Sequence, residues 1–371
     1  MSADKASTVA VAPVSGNSGA ANHNLTLDWL RGVAAITVVA FHFSRRLELP
    51  LLFGHGYLAV DFFFVLSGFV IAKAYTERLA DDRLTGWSFF VTRAIRLLPM
   101  VVAGTALAAL VEIGRPGVAN HALHLREGLT AMLLGSILIP VMWTTTLEHT
   151  VFPLNAPMWT LFLEAISNLL FVPWARLRLG RGWLYAAMAL SAFFLVYGTL
   201  STGTSEFGQV PETFILGFAR IGWSFPVGIL LYHWRSKAPR TSAVAITIAL
   251  VALLAVPHLA TLNALYDLVA VLLVLPLIVL AASNSTLDRR WAAWSGNLSY
   301  PLYAMHYPLV RLLGVVGLKL HLPAWGRLGF AIGGLAVLVA IGTAAFSFYD
   351  QPVRSWLTKM RKDRSRARTL V

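Results

Sequence analysis

The sequence predicts an all-α, polytopic membrane protein of about ten transmembrane helices plus one re-entrant or interfacial segment, with both termini cytoplasmic. Three observations lead there. Hydrophobic residues make up 57% of the 371 and charged residues only 13%, whereas soluble domains run near a quarter charged. Apolar stretches of helical length follow one another through nearly the whole chain. Lys and Arg then gather in alternate connections between those stretches. Cysteine is absent, which excludes disulfides, thiol nucleophiles and Cys-ligated metal or iron–sulfur sites. The net charge of +13 would suit nucleic acid, but it sits in short loops and at the C-terminus. There it fits cytoplasmic retention and contact with anionic lipid.

Residues 1–24, rich in Ser, Ala, Asn and Gly, read as a disordered cytoplasmic tail, 25–352 as the membrane domain, and 353–371 as a basic cytoplasmic tail. Apolar helical stretches lie near 27–46, 57–75, 92–113, 127–144, 157–174 and 183–200. Others follow near 213–233, 241–257, 263–283, 298–318 and 325–348. The basic set (73–96, 176–181, 235–240, 289–290 and the C-terminus) alternates with loops 145–156, 201–212 and 258–262, which contain no Lys or Arg. That alternation requires one early segment not to cross. The choice falls on 127–144, interrupted by Gly135 and Pro140 and followed by the polar run 144–146.

The first span carries the most informative pair. Arg31 and His42 are eleven helical steps apart, which returns them to one face about 16 Å apart along the axis. Ionisable groups are costly in hydrocarbon and usually face a bundle interior or wet cavity. Only 13 residues separate Arg31 from Arg45, so Arg31 lies near the cytoplasmic side while His42 falls towards the outer half. Asp61 in the second span is expected at similar depth, where it could hold one imidazole nitrogen and leave the other to take a hydroxyl proton. A structural role for Asp61 is the plain alternative, as an interhelical hydrogen bond is for His42.

Arg93 and Arg96 share a helix face at i and i+3, and Arg suits phosphate through its bidentate fork. Anchoring by the positive-inside rule would explain them equally. Glu164 lies about one and a half turns below Trp159, and an intramembrane Glu is a site candidate unless it simply bonds Asn168 or a neighbouring helix. Near the end come Ser299, Tyr300, His306 and Arg311, with Pro301 and Pro308 breaking the helix among them.

Together these segments carry a resemblance. Arg31-x10-His42, Gly56-x4-Asp61-x-Phe-Phe-x-Leu-Ser67-Gly-Phe and Arg93-x-x-Arg96-x-x-Pro come first. Trp159-Thr-Leu-x-x-Glu164, Leu298-Ser-Tyr300-x-Leu-Tyr-x-x-His306 and a terminal Asp350-x-Pro complete the series in order. The chain resembles the acyltransferase-3 family of bacterial integral-membrane O-acyltransferases, in the stand-alone form without a fused extracytoplasmic hydrolase-like domain. The resemblance implies a multi-pass protein of the cytoplasmic (inner) membrane. It also implies transfer of an acyl group, acetyl being the expected one, from acyl-CoA to a hydroxyl of a glycan or glycoconjugate. His42 would match the essential histidine, as base or transient acyl carrier. Arg31, Arg93 and Arg96 would match the proposed coenzyme A contacts, and Glu164 the conserved acid. Ser67, Trp159, Tyr300, His306 and Arg311 are further candidates. The co-substrate expected is acetyl-CoA or another acyl-CoA, with no metal. Expected partners are that donor, a hydroxyl-bearing acceptor such as a lipid-linked glycan, and membrane lipid, with no nucleic acid. Asp350 departs from the family's usual Glu at that position. Open alternatives are a small-molecule acceptor such as a macrolide, a proton-coupled exporter, which needs similar buried ionisable residues but internal repeats that are not evident, and a non-catalytic scaffold.

Overall fold

The computed structural model describes residues 24–49, 53–113, 119–287 and 289–369. The tail predicted over 1–24 lies outside them except for Asn24. That residue caps the first helix, its side chain accepting from the Leu27 N–H at 3.2 Å. In order come α1 (Leu25–Arg46), α2 (Ala59–Ala80), α3 (Gly86–Ile113), α4 (His121–Ser136), α5 (Met158–Arg176), α6 (Arg181–Thr202) and α7 (Phe214–Trp234). There follow α8 (Ala243–Ala255), α9 (Asn263–Val269), α10 (Leu275–Ala282), α11 (Arg289–Lys319), α12 (Ala324–Ala345) and α13 (Gln351–Thr369). The described residues are all-helical apart from connections, and eight of their helices are long and apolar enough to cross a membrane. The protein is a multi-pass membrane protein. α8 is shorter, and α11 carries too many polar residues to qualify, yet it packs inside the bundle against α1, α3 and α12.

The segment expected not to cross, 127–144, is helical only to Ser136. Beyond it the chain runs irregularly to Pro157 and folds back. Val141 N–H donates to Val151, and Val151 N–H to Gln209, at 2.8 and 2.9 Å. Glu127 ties this segment down by accepting from the backbone N–H and hydroxyl groups of Thr145 and Thr146 at 2.8–3.0 Å. Burial opposes ionisation there, but those donors hold the Glu127 carboxyl below its usual range. The result is a cap made of the chain between α4 and α5 and the loop after α6.

Proline shapes the helices that the sequence marked as broken. Both π turns, Ala270–Val274 and Phe346–Asp350, sit just before a proline, Pro276 and Pro352. A proline has no N–H to continue the ladder and crowds the preceding turn, so the helix widens there rather than ending. The predicted tail at 353–371 is therefore helical through Thr369, continuing α12 rather than hanging free. In α11, Pro308 leaves the Ala304 carbonyl without its helical donor, and the Asn155 amide fills the gap at 2.9 Å.

α2 and α7 are the most enclosed spans, while α6 and α12 turn many large apolar side chains outward, among them Phe193, Leu200, Ile332 and Val337. α2 and α7 meet backbone to backbone. A Cβ on Gly68 would lie 2.0 Å from the Phe225 carbonyl oxygen, and one on Gly228 2.0 Å from that of Val65. Small residues permit such approach between membrane helices. Gly68→Ala is expected to force the pair apart and cost about 1–3 kcal/mol as overpacking does, seen as a lower melting temperature in detergent.

Candidate active site

Four of the expected residues meet first at one cavity of about 120 Å³ whose walls include Arg31, Arg93, Arg96 and Glu164. α1 supplies Arg31, α3 the two other arginines, α5 Glu164, α2 Ser67 and α11 Ser299, Tyr300 and Tyr303. Arg31 donates through Nε to Ser299 at 2.9 Å and through Nη2 to the Gly296 carbonyl at 2.8 Å, with Asp28 at 3.5 Å. Those bonds hold it against α11 and aim it at the cavity wall. Glu164 accepts from Arg93 at 2.5 Å and from the Ser67 hydroxyl at 2.9 Å. Asn168, its alternative partner in the sequence reading, has no hydrogen bond from its side chain among the described residues. Tyr300 donates to the Leu97 carbonyl at 2.5 Å. Arg96 is exposed and makes no ion pair among the described residues. The cavity thus presents an uncompensated guanidinium beside neutralised ones, a setting that attracts phosphate.

His42 does not line this cavity but the adjoining one. Its cavity is walled by Trp159, Tyr57, Phe207, Gln209, Glu206 and Arg220 among others, and it shares Val60 and Tyr303 with the first. A buried hydroxyl pair, Thr160 with Tyr303 at 2.7 Å, stands where the two meet. The His42 ring lies among Phe41, His306 and Tyr307, with centroids 5.2, 5.2 and 5.3 Å away. It is half-buried, and among the described residues no hydrogen bond engages its nitrogens. His306 is different. Its Nδ1 donates to the Tyr303 carbonyl at 2.7 Å, while buried Nε2 has no partner among the described residues. Because a carbonyl only accepts, Nδ1 carries the proton and Nε2 the lone pair.

Two expectations need correcting. Asp61, expected to orient His42, is fully buried in a bidentate pair with Arg220 of α7, at 2.6 and 3.1 Å. A carboxylate so enclosed requires a fixed cation, and a neighbouring imidazole would neutralise it less completely. Arg220 also donates to the carbonyls of Tyr57 and Phe207 at 3.0 and 3.1 Å, so the pair braces two walls of the His42 cavity. Arg311 is absent from both cavities. It donates to Glu112 at 2.6 Å, with Glu148 at 3.7 Å, in a cluster at the end of α3. Of the remaining candidates, Ser67 and Tyr300 line the first cavity, Trp159 the second, and His306 stacks on His42.

Sequence reasoning missed Arg220, although an Arg amid the apolar run 213–233 was a visible signal. It also missed Glu206, which receives both Arg45 guanidinium nitrogens at 2.6 Å beside the His42 cavity. Burial pushes the Glu206 carboxyl above its usual range against the pull of Arg45. Loop position and exposure in the unfolded chain gave no hint of that role.

Residues 24–346 match the family model described as an acyltransferase domain. Protein 2 of the picA locus of Rhizobium radiobacter is 35% identical over 162 residues, covering 40% of this chain and 81% of that protein. The peptidoglycan O-acetyltransferase OatA of Listeria monocytogenes is 24% identical over 361 residues, covering 89% of this chain. This chain spans 55% of the length of OatA. No solved structure gives a significant match.

Proposed function

Since the chain belongs to the acyltransferase-3 family and is an acyltransferase, we propose that it moves an acetyl group from acetyl-CoA to a hydroxyl of a glycan or glycoconjugate. The donor would enter from the basic, cytoplasmic face of the inner membrane. Its phosphates would meet Arg96, Arg31 and Arg93, and its acyl arm would extend past Tyr303 towards His42. The observation that carries this reading is the shared wall of the two cavities at Val60 and Tyr303. It sets an arginine-lined chamber against an imidazole free to take a proton. The axial separation of Arg31 and His42, about 16 Å, is on the scale of a phosphopantetheine arm.

In the proposed step His42 accepts the acceptor's hydroxyl proton as its oxygen attacks the thioester carbonyl. The carbon–sulfur bond breaks, coenzyme A leaves as thiolate, and the imidazolium returns the proton to it or to solvent. In the variant, His42 nitrogen itself takes the acyl group and passes it on. Glu164 is assigned a positioning role: it holds Arg93 and Ser67 at the chamber wall. Asp61 is likewise a positioning residue through Arg220.

Mass spectrometry of cell-surface and exported glycans from strains with and without the gene tests the reading. One acetyl mass lost from a glycan on deletion is the expected result. An unchanged glycan profile with a changed small-molecule profile would move the acceptor to that class. No acyl difference in either, with no binding of acetyl-CoA to the purified protein, overturns it.

A further inference from the structure

The family match stops at residue 346, short of a basic helix that lines one side of the cavity system. α12, the π turn and α13 form one unit, of which the stretch Ala324–Arg364 is 41 residues long. At 1.5 Å per residue that is roughly 60 Å, about twice the hydrocarbon core. Its second half is rich in Lys and Arg, so it stands in water beyond the basic face. α13 is nevertheless held in place. Arg361 donates to Thr92 of α3 at 2.7 Å and to Ser88 of the same helix.

Between α13 and the start of α3 runs a groove of about 660 Å³. Lys359, Lys362 and Arg354 line it from α13, Arg96 and Ile95 from α3, and Tyr75 from α2. Among the described residues Asp363 is its one acidic lining residue. Lys359 and Lys362 are exposed and form no ion pair among the described residues, whereas Arg354 donates to Asp350 at 2.7 Å. The groove is continuous with the site. Arg354 and Arg96 also line a vestibule of about 710 Å³, and that vestibule shares Arg31, Arg96 and Tyr300 with the central chamber.

We propose that this groove binds the 3′-phosphorylated adenine nucleotide end of the donor, with Lys359 and Lys362 pairing with its phosphates and Tyr75 and Ile95 offering apolar surface to the base. The proposal rests on the acyl-CoA reading above. It adds a binding element beyond the residues that the family model matches and makes α13 part of the donor site. Unpaired lysines over a groove that ends at three arginines match a polyanion with a long neutral arm.

The test uses the full chain in detergent, wild type and K359E/K362E, with K359A/K362A as a milder pair. Acetyl-CoA and 3′-dephospho-acetyl-CoA are the probes in a binding titration. The lysines are exposed, so melting temperatures should coincide. The wild type is expected to prefer the 3′-phosphorylated donor about tenfold, an ordinary value for one charged contact. K359E/K362E should weaken acetyl-CoA binding at least about tenfold and lose that preference. A wild type that binds neither donor overturns the acyl-CoA reading and this proposal with it. A wild type that binds acetyl-CoA, with K359E/K362E binding equally well, overturns this proposal alone. Repeating the melts in zwitterionic and anionic nanodiscs separates the two phosphate sources. If the variant loses only stabilisation by anionic lipid, the groove belongs to a lipid headgroup and the proposal fails.

Discussion

His42→Ala is expected to abolish acyl transfer, lowering the rate by at least about a hundredfold, the usual minimum for removing a general base. Transfer of label from acetyl-CoA to a hydroxyl acceptor reads this out directly. The protein should remain folded, because the His42 ring is half-buried in a cavity and no hydrogen bond of the described residues depends on it. A monodisperse, normally melting protein without activity is the expected pair of results. Full activity in that protein would remove His42 from the mechanism. His306→Gln separates the two imidazoles. Its Nδ1 bonds to the Tyr303 carbonyl of its own helix, and among the described residues its Nε2 has no partner, so an activity loss there would mean that Nε2 shares the proton.

The second large effect concerns stability. Removing either partner of the Asp61–Arg220 pair should cost about 3–5 kcal/mol, because a buried charge is left without its counterion. Asp61→Ala and Arg220→Ala should each give a strongly lowered melting temperature or fail to accumulate. The joint change Asp61→Leu with Arg220→Met should recover much of that loss, since no charge remains stranded. It will not recover all, because the Tyr57 and Phe207 carbonyls lose their guanidinium donor. An Asp61→Ala protein that melts normally yet cannot transfer acyl groups would instead return Asp61 to the chemistry. The distinction matters for reading motifs. An acidic residue near a histidine in sequence suggests a dyad, but here the acid supports the walls of the cavity that His42 lines.

Much of the architecture was legible. Composition alone separated membrane from soluble chains, and periodic apolar runs located the helices to within a few residues in most cases. The least legible parts were those where apolarity is not the signal. α11 begins at Arg289, well before the predicted 298, because its first turns are polar yet packed against α1. α13 was expected as a tail, since a run of charges carries no apolar stripe and its docking, in which Arg361 reaches α3, depends on a distant part of the chain. The site divided in the same way. Arg31, Ser67, Arg93, Arg96, Glu164 and Tyr300, named from five separate segments, do converge on one chamber. Asp61 and Arg311 bind other partners. Helical spacing within one span predicts which side chains share a face. It does not say which neighbouring helix that face meets.

The sequence by itself thus determined the solvent, the helical class, the family and the kinds of chemical group available. Each of these follows from residue type and spacing along one chain. Only the tertiary structure decided the pairings: Arg220 with Asp61, Glu164 with Arg93, His306 beside His42, and a wall shared by two cavities. The physical reason is the packing of helices from distant parts of the chain. Where Gly68 and Gly228 let two backbones touch, the rotation and depth of α2 against α7 are set, and every charge on those helices must then find its partner within that geometry.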